Sequence, residues 1–130
     1  MAASNRPLRL LLVDDDDAIH RLIDIALERD ERFMLVGCAR DGFEGVAAAG
    51  ALRPDVILMD LHMPRMDGIA ATAAVIECDP DACILGFTSS TDTGEHEAFR
   101  RAGATAVLGK PFDPVALLDA IEEHGEACAA

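Results

Sequence analysis

The chain has 130 residues, of which 51% are hydrophobic and 27% are charged. This length fits one domain with one substantial core, and we expect residues 1–130 to form a single domain whose core covers about residues 8–123. The 24 acidic and 11 basic residues give a formal net charge of −13, which argues against the basic surface that nucleic acids or anionic lipids require.

The longest early apolar run, Leu10 to Val13, is too short for a membrane span or a signal-peptide core. We therefore expect a cytoplasmic location and no membrane partner. The four cysteines form no C-x-x-C pair, and we expect reduced thiols packed as small apolar residues: Cys38, Cys78, Cys83 and Cys128.

Five apolar runs alternate with five segments of helical character. The strands are predicted at residues 8–13, 33–39, 56–59, 82–87 and 106–108, and the helices at residues 17–29, 42–52, 68–78, 94–102 and 114–123. The runs are almost continuously apolar, which is typical of a parallel sheet covered on both faces. The sequence therefore predicts an α/β domain of five βα units.

Three of the predicted helices carry further signals. In the first, one apolar face is predicted to pack on the sheet: Ile19, Leu22, Ile23, Ala26 and Leu27. The fourth contains Gly94 and few large apolar residues, so we expect it to be short or mobile. Asp113 and Pro114 are a suitable N-cap and first residue for the fifth.

Polar residues follow four of the five predicted strands. The first strand runs into residues 14–17, which are all Asp, the third into Asp60, the fourth into Thr88 and two serines, and the fifth into Gly109 and Lys110. Asp16 and Asp17 are suited to capping the first helix. Because ligands bind at the carboxyl ends of such strands, we expect the other residues to form a site.

A sheet in which the first and third strands are neighbours would bring Asp14, Asp15 and Asp60 together. Such crowding is costly unless a cation compensates it, and ligands that are all oxygens favour Mg²⁺, with Mn²⁺ as a substitute. A carboxylate at this place can act as a nucleophile toward a phosphoryl group. Lys110 and the Thr88 hydroxyl could then share the charge of the transferring group.

Four stretches resemble the marker motifs of the receiver domains of response regulators, in the same order and at suitable separations. They are Val-Asp-Asp at residues 13–15, Asp-Leu-His-Met-Pro-Arg-Met-Asp-Gly at 60–68, Thr-Ser at 88–89 and Lys-Pro-Phe at 110–112. The resemblance covers roughly residues 8–123. It implies a flavodoxin-like (βα)5 three-layer sandwich with a parallel sheet of strand order 2-1-3-4-5.

The resemblance also implies roles for these residues. Asp60 would accept a phosphoryl group from a sensor histidine kinase or a histidine phosphotransfer protein. Mg²⁺ would be held by Asp15, Asp60 and the backbone carbonyl of His62, with Asp14 behind these ligands or reaching the ion through water. Lys110 would bond the phosphoryl oxygens, and its peptide bond to the following proline would be cis. Such a domain assists its own phosphorylation and dephosphorylation but is not a conventional enzyme.

The resemblance further implies a shift in the balance of two conformations, in which Thr88 and Ser89 would move toward the phosphoryl group. It commonly involves an aromatic residue in the fifth strand, and here Val107 stands at that position. We therefore expect ordering of the fourth helix to carry the signal to an unknown protein target, with phosphorylation-dependent dimerisation through helix four, strand five and helix five as one outcome. His62 either tunes dephosphorylation or is simply an exposed loop histidine.

The remaining histidines, His20, His96 and His124, are predicted to lie on helix surfaces without a role in the site. Two other functions are open. In a phosphatase of the haloacid dehalogenase type, Asp14 would be the nucleophile and Asp16 the general acid, but no paired acidic motif follows Lys110 and we expect no cap domain. The chain could also be a receiver cut from a longer transcription factor or enzyme, although no DNA-binding or effector domain is apparent. A receiver-like domain that only binds protein is disfavoured by the competent site residues.

Overall fold

The computed structural model describes residues 6–129, so the predicted domain limits at residues 1 and 130 lie outside it. Strands and helices alternate along the whole of this range. In chain order they are β1 (Leu8–Val13), α1 (Asp17–Leu27), β2 (Phe33–Ala39), α2 (Gly42–Leu52), β3 (Val56–Asp60), α3 (Gly68–Cys78), β4 (Ile84–Thr88), α4 (Thr93–Ala102), β5 (Ala106–Gly109) and α5 (Pro114–Ala129).

The strands form one parallel sheet in the order β2-β1-β3-β4-β5, which confirms the predicted flavodoxin-like fold. In this order β1 lies between β2 and β3. The register pairs Val13 of β1 with Met59 of β3. The next residues along the two strands, Asp14 and Asp60, are therefore neighbours at the carboxyl edge of the sheet.

A separate apolar core lies on each face of the sheet, because successive strand residues point to opposite faces. On one face β1 packs against α1 and α5 through residues that include Leu10, Leu12, Ile23, Leu118 and Ile121. On the other face the sheet packs against α2, α3 and α4 through residues that include Leu11, Val46, Ala71, Val75 and Phe99. The molecule is thus a three-layer sandwich, as predicted.

The first four helices all begin directly after an aspartate. The side chain of each of these N-caps accepts a hydrogen bond from a backbone N–H of the first helical turn: Asp16, Asp41, Asp67 and Asp92. The predicted capping by Asp16 is confirmed. Part of the acidic excess therefore satisfies helix ends rather than serving a ligand site.

Four of the five residues predicted for the sheet side of α1 pack into the core there, namely Ile19, Ile23, Ala26 and Leu27, and the prediction was wrong for one. Leu22, assigned to the sheet side, is 49% exposed, whereas His20, assigned to the surface, is 5% exposed. The buried residues of α1 are Ile19, His20 and Ile23. The His20 ring is buried at the edge of this face, where its Nε2 lies 2.7 Å from the carbonyl oxygen of Asp14, in the backbone that follows β1.

The last helix also differs, because α5 continues to Ala129 rather than ending near residue 123. Gly125 reads as a helix end in the sequence, but it is buried inside the helix. A Cβ at Gly125 would lie 2.7 Å from the side chain of Val56. The glycine thus allows α5 to approach the sheet closely.

Two other predictions are met only in part. All four cysteines are free, but Cys83 alone is buried, while Cys38, Cys78 and Cys128 are exposed. The predicted packing as small apolar residues was therefore wrong for three of them. At 10 residues α4 is the shortest of the described helices, and its mobility stays a prediction.

Candidate functional site

The predicted site residues lie at one edge of the sheet. Asp60 ends β3 and Thr88 ends β4, while Asp14 and Lys110 directly follow β1 and β5. The structure also brings Asp15 to this edge, because one carboxylate oxygen from each of Asp14, Asp15 and Asp60 lies within 4.8 Å of the others. The predicted carboxylate cluster is therefore formed by the fold.

Lys110 connects two of these carboxylates. Its Nζ lies 2.7 Å from Oδ2 of Asp14 and 3.2 Å from Oδ1 of Asp60, and 5.0 Å from the centre of the Phe87 ring. The Asp14 side chain is completely buried and that of Lys110 is 15% exposed. Burial opposes the charged form of Lys110, but the pairing with Asp14 and Asp60 raises its pKa above the ordinary value. This ammonium is thus a permanent counter-charge in the site.

Asp60 is a carboxylate of the site whose pKa is raised despite that ammonium. Burial first, and the Asp14 carboxylate second, raise its pKa to about 6, and Lys110 only partly opposes them. The Asp60 Oδ1 also accepts a hydrogen bond of 2.9 Å from the backbone N–H of Leu61. The Lys110 ammonium and the Leu61 N–H both bond to Oδ1 of Asp60, so Oδ2 is the oxygen better placed to bind a metal or to react.

The loop after Asp60 is packed against the start of α3. A Cβ on Gly68 would lie 2.0 Å from the carbonyl oxygen of Asp60, so a side chain there would displace the loop. The Gly68 N–H also donates to the carbonyl oxygen of Leu61 at 2.8 Å. The glycine that ends the D-L-H-M-P-R-M-D-G run therefore fixes the acceptor loop onto α3.

Asp14 and Asp15 differ in exposure. Asp14 is buried and its Oδ1 accepts a bond of 2.9 Å from the N–H of Asp16, while Asp15 is exposed. His20 holds the carbonyl of Asp14 from the helix side. The donors are all oxygens, and three carboxylates face one another here with Lys110 bonded to two of them. Such a set fits Mg²⁺, which favours a few carboxylates with water.

Thr88 lies one residue beyond Phe87, which is paired with Asp60 in the register of β3 and β4. Its side chain is buried, and its Oγ1 accepts a bond of 3.0 Å from the N–H of Ser90. Ser89 is exposed. The hydroxyl predicted for the site thus lies at the correct edge and closes the turn that leads to α4.

His62 contacts a residue that the sequence did not single out. Its side chain is 66% exposed, and its Nε2 lies 3.4 Å from Oε2 of Glu95 in the first turn of α4. The other oxygen of Glu95 accepts a short hydrogen bond from the Ser90 hydroxyl. His96 was predicted to have no role, but its Nε2 lies 2.7 Å from the carbonyl oxygen of Ser90.

A sequence signal for Glu95 existed. Asp92 and Glu95 have the spacing of a capping box, in which the acidic residue at the third helical position turns back toward the N-cap. In the structure Glu95 turns back further, to Ser90. The pattern indicates that the Glu95 side chain turns back toward the start of α4, but it does not indicate Ser90 and His62 as its partners.

At the switch position, Val107 is half-buried and packs against the core that contains Phe99. The peptide bond between Lys110 and Pro111 is cis, as the resemblance implied.

A family model of the response regulator receiver domain matches residues 10–122. The chain therefore belongs to this family and is a receiver domain of two-component signalling. That membership argues against the haloacid dehalogenase alternative, whose nucleophile, Asp14, is buried and paired with Lys110.

Within the residues that the structure describes, no helix has the length and apolar character needed to cross a membrane.

Particular relatives include protein-glutamate methylesterase/protein-glutamine glutaminase 4 of Myxococcus xanthus, which is 40% identical over 85% of this chain and 31% of that protein. The probable C4-dicarboxylate response regulator DctR of Halalkalibacterium halodurans is 31% identical over 92% of this chain and 52% of that protein. This chain spans about a third of the length of the methylesterases that it matches.

Solved structures give the same result. The response regulator domain of Thermotoga maritima CheB superposes with a TM-score of 0.85 at 29% identity, covering 93% of this chain and 98% of that one. A CheY-like receiver domain protein from Methanospirillum hungatei superposes with a TM-score of 0.86 at 26% identity, covering 95% and 97%.

Proposed function

We propose that this receiver accepts a phosphoryl group on Asp60 from the phosphohistidine of a sensor histidine kinase or a histidine phosphotransfer protein. The observation that carries the proposal is the position of Asp60 at the carboxyl end of β3, with Lys110 Nζ 3.2 Å from Oδ1 and two more carboxylates nearby. A buried carboxylate with a cation on one oxygen is suited to forming an acyl phosphate with the other.

In the transfer, Oδ2 of Asp60 forms a bond to phosphorus while the bond from phosphorus to the donor imidazole nitrogen breaks. Lys110 shares the negative charge of the transferring group, and the Thr88 hydroxyl bonds a phosphoryl oxygen after it leaves the Ser90 N–H. Asp15, Asp60 and the backbone carbonyl of His62 would hold Mg²⁺ or Mn²⁺, with Asp14 behind them or reaching the ion through water. A bound Mg²⁺ supplies further charge neutralisation.

Incubation with acetyl phosphate, with and without Mg²⁺, tests the proposal. Intact-mass measurement should show one added phosphoryl group on the native chain only when Mg²⁺ is present, and none on Asp60→Asn. The matched control Asp24→Asn removes an exposed carboxylate of α1 and should be labelled like the native chain. Equal labelling of Asp60→Asn and the native chain would contradict the assignment of Asp60.

We also propose how the domain passes its signal to a partner. Phosphorylation would change the surface formed by α4, β5 and α5, which then docks on a protein target or on a second copy, with no direct binding of nucleic acid. The net charge of −13 supports a protein target over DNA. Sedimentation of the chain with and without acetyl phosphate would show whether a second copy binds.

A second candidate is that this receiver controls an effector within a longer protein. The methylesterase relatives favour it, because this chain matches only about a third of each. An antiserum against this domain, applied to an extract of the source cells, should then detect a chain well above 13.8 kDa. A single band at about 13.8 kDa would support the stand-alone regulator instead.

A further inference from the structure

Two loops border Asp60 on the side away from Asp14. One follows β3 and contains His62, two residues after the acceptor. The other follows β4 and contains Ser90, two residues after Thr88. Both loops follow strands at the edge where Asp60 lies, so their arrangement would affect the access of water to a phosphoryl group on Asp60.

One carboxylate contacts both loops. Oε2 of Glu95 lies 3.4 Å from Nε2 of His62, and Oε1 accepts a short bond from the Ser90 hydroxyl. The next residue, His96, reaches the carbonyl oxygen of Ser90 at 2.7 Å. The first turn of α4 therefore holds Ser90 at two atoms and His62 at one.

Glu95 is itself fixed by the start of its helix. Oδ1 of Asp92 accepts bonds from the N–H groups of Gly94 and Glu95 at 2.8 and 3.3 Å. The Ser90 hydroxyl also accepts from the N–H of Asp92 at 3.2 Å, so the loop and the helix start form one connected set of bonds. A movement of α4 is thereby transmitted to both loops.

The contact between Glu95 and His62 contributes little to the stability of the fold. The side chains of His62 and Glu95 are 66% and 33% exposed, and ion pairs of that exposure contribute little to folding. Val107, on the neighbouring strand, has no ring or polar atom with which to couple α4 to the site. The side chains of Glu95 and His96 instead connect α4 to the loops beside the acceptor, and Glu95 is the one that contacts both loops.

We propose that Glu95 is a positioning residue that sets the lifetime of the phosphoryl group on Asp60, by holding together the His62 and Ser90 loops at the edge where Asp60 lies. The inference rests on the proposed phosphorylation of Asp60. It adds a residue of α4 to the residues that control the acyl phosphate, and it makes the lifetime depend on the position of α4.

The test measures loss of the phosphoryl group after removal of acetyl phosphate. Glu95→Ala should shorten the lifetime by about three- to tenfold, as expected for the loss of one or two modest hydrogen bonds. Glu97→Ala is the matched control, because Glu97 lies on the same helix and pairs only with Arg101 at 3.5 Å within the described residues. It should leave the lifetime unchanged. An unchanged or longer lifetime in Glu95→Ala would overturn the proposal.

A double-mutant cycle separates positioning from a general loosening of the fold. His62→Ala should shorten the lifetime in the native chain but not in Glu95→Ala, where His62 is already released. Glu95→Gln keeps the acceptor for Ser90 and should therefore behave like His62→Ala alone. Independent, multiplying effects of His62→Ala and Glu95→Ala would overturn the proposal.

The two proposals fail in different ways. If the native chain takes up no phosphoryl group, the proposed function itself is wrong. If all variants are labelled on Asp60 but decay at the native rate, only the role of Glu95 is wrong. Circular dichroism of each variant confirms that it is folded before the decay is measured.

Discussion

The two sides of the acceptor are built differently. The ionic side, consisting of Asp14, Asp60 and Lys110, is buried, with exposed side-chain fractions of 0, 9 and 15%. The loop side, consisting of His62, Ser90 and Glu95, is partly open to solvent and held by side-chain bonds between two loops and a helix turn. The first is positioned by strand ends and the second by loops. In the proposed function, charge neutralisation would depend on the ionic side and the phosphoryl lifetime on the loop side.

Removing the cation of the ionic side should have the largest effect. Lys110→Met leaves the buried Asp14 carboxylate without its partner at 2.7 Å. Without Mg²⁺ at neutral pH, the free energy of unfolding should fall by about 3 kcal/mol, as for other broken buried pairs. Urea unfolding measures it. Arg21→Met, which removes an exposed cation of α1, should cost less than about 0.5 kcal/mol. Equal values for the two variants would show that the ionic side does not depend on this pair.

The pH dependence of stability should come next, on the order of 2 kcal/mol. Burial and Asp14 raise the pKa of Asp60 to about 6 in the folded chain, from 3.8 when it is unperturbed. The folded state therefore holds the proton more tightly, and metal-free stability should fall as pH rises from about 4 to about 6. Asp60→Asn should lack this part of the slope in urea unfolding between those pH values. Parallel curves for the two chains would contradict the raised pKa.

The loop side should respond more weakly. Asp92→Ala removes the N-cap of α4, which accepts from Gly94 and Glu95, and should cost about 1 kcal/mol. Amide exchange should become faster in the first turn of α4 and unchanged on the ionic side. Asp67→Ala, the N-cap of α3, is a control that loses a similar bond without touching α4. Faster exchange throughout the sheet would show that the two sides are one unit.

The smallest effect is expected at the switch position. Val107→Ala removes two methyl groups from a half-buried site and should cost about 0.5–1 kcal/mol of stability. The phosphoryl lifetime should not change, because Val107 takes no part in the bonds of the loop side. If Val107→Ala changed the phosphoryl lifetime as much as Glu95→Ala does, the coupling between α4 and the acceptor would have to run through β5.

The ionic side could be predicted from the sequence because its positions follow from topology alone. Once β1 and β3 are neighbours in a parallel sheet, Asp14 and Asp60 must meet, whatever the loops do. The strand order came from the resemblance and was confirmed. The burial of His20 was missed, because it depends on a bond to the carbonyl oxygen of Asp14 that the apolar periodicity of α1 does not indicate.

The loop side could not be predicted in the same way. Its bonds depend on the path of the loop from Thr88 to Asp92, which no periodicity fixes. The predicted end of α5 was wrong for a related reason, because Gly125 allows close packing against Val56 and does not end the helix. A glycine has the same appearance in the sequence in either role.

Lys110 is the only lysine of the chain, since the other ten basic residues are arginines. Apart from the α-amino group, the molecule therefore has a single amine, and it lies between Asp14 and Asp60. Isotope-labelled reductive methylation would place one spectroscopic probe at this position without any mutation. Its resonance would follow both metal binding and phosphorylation in the native sequence.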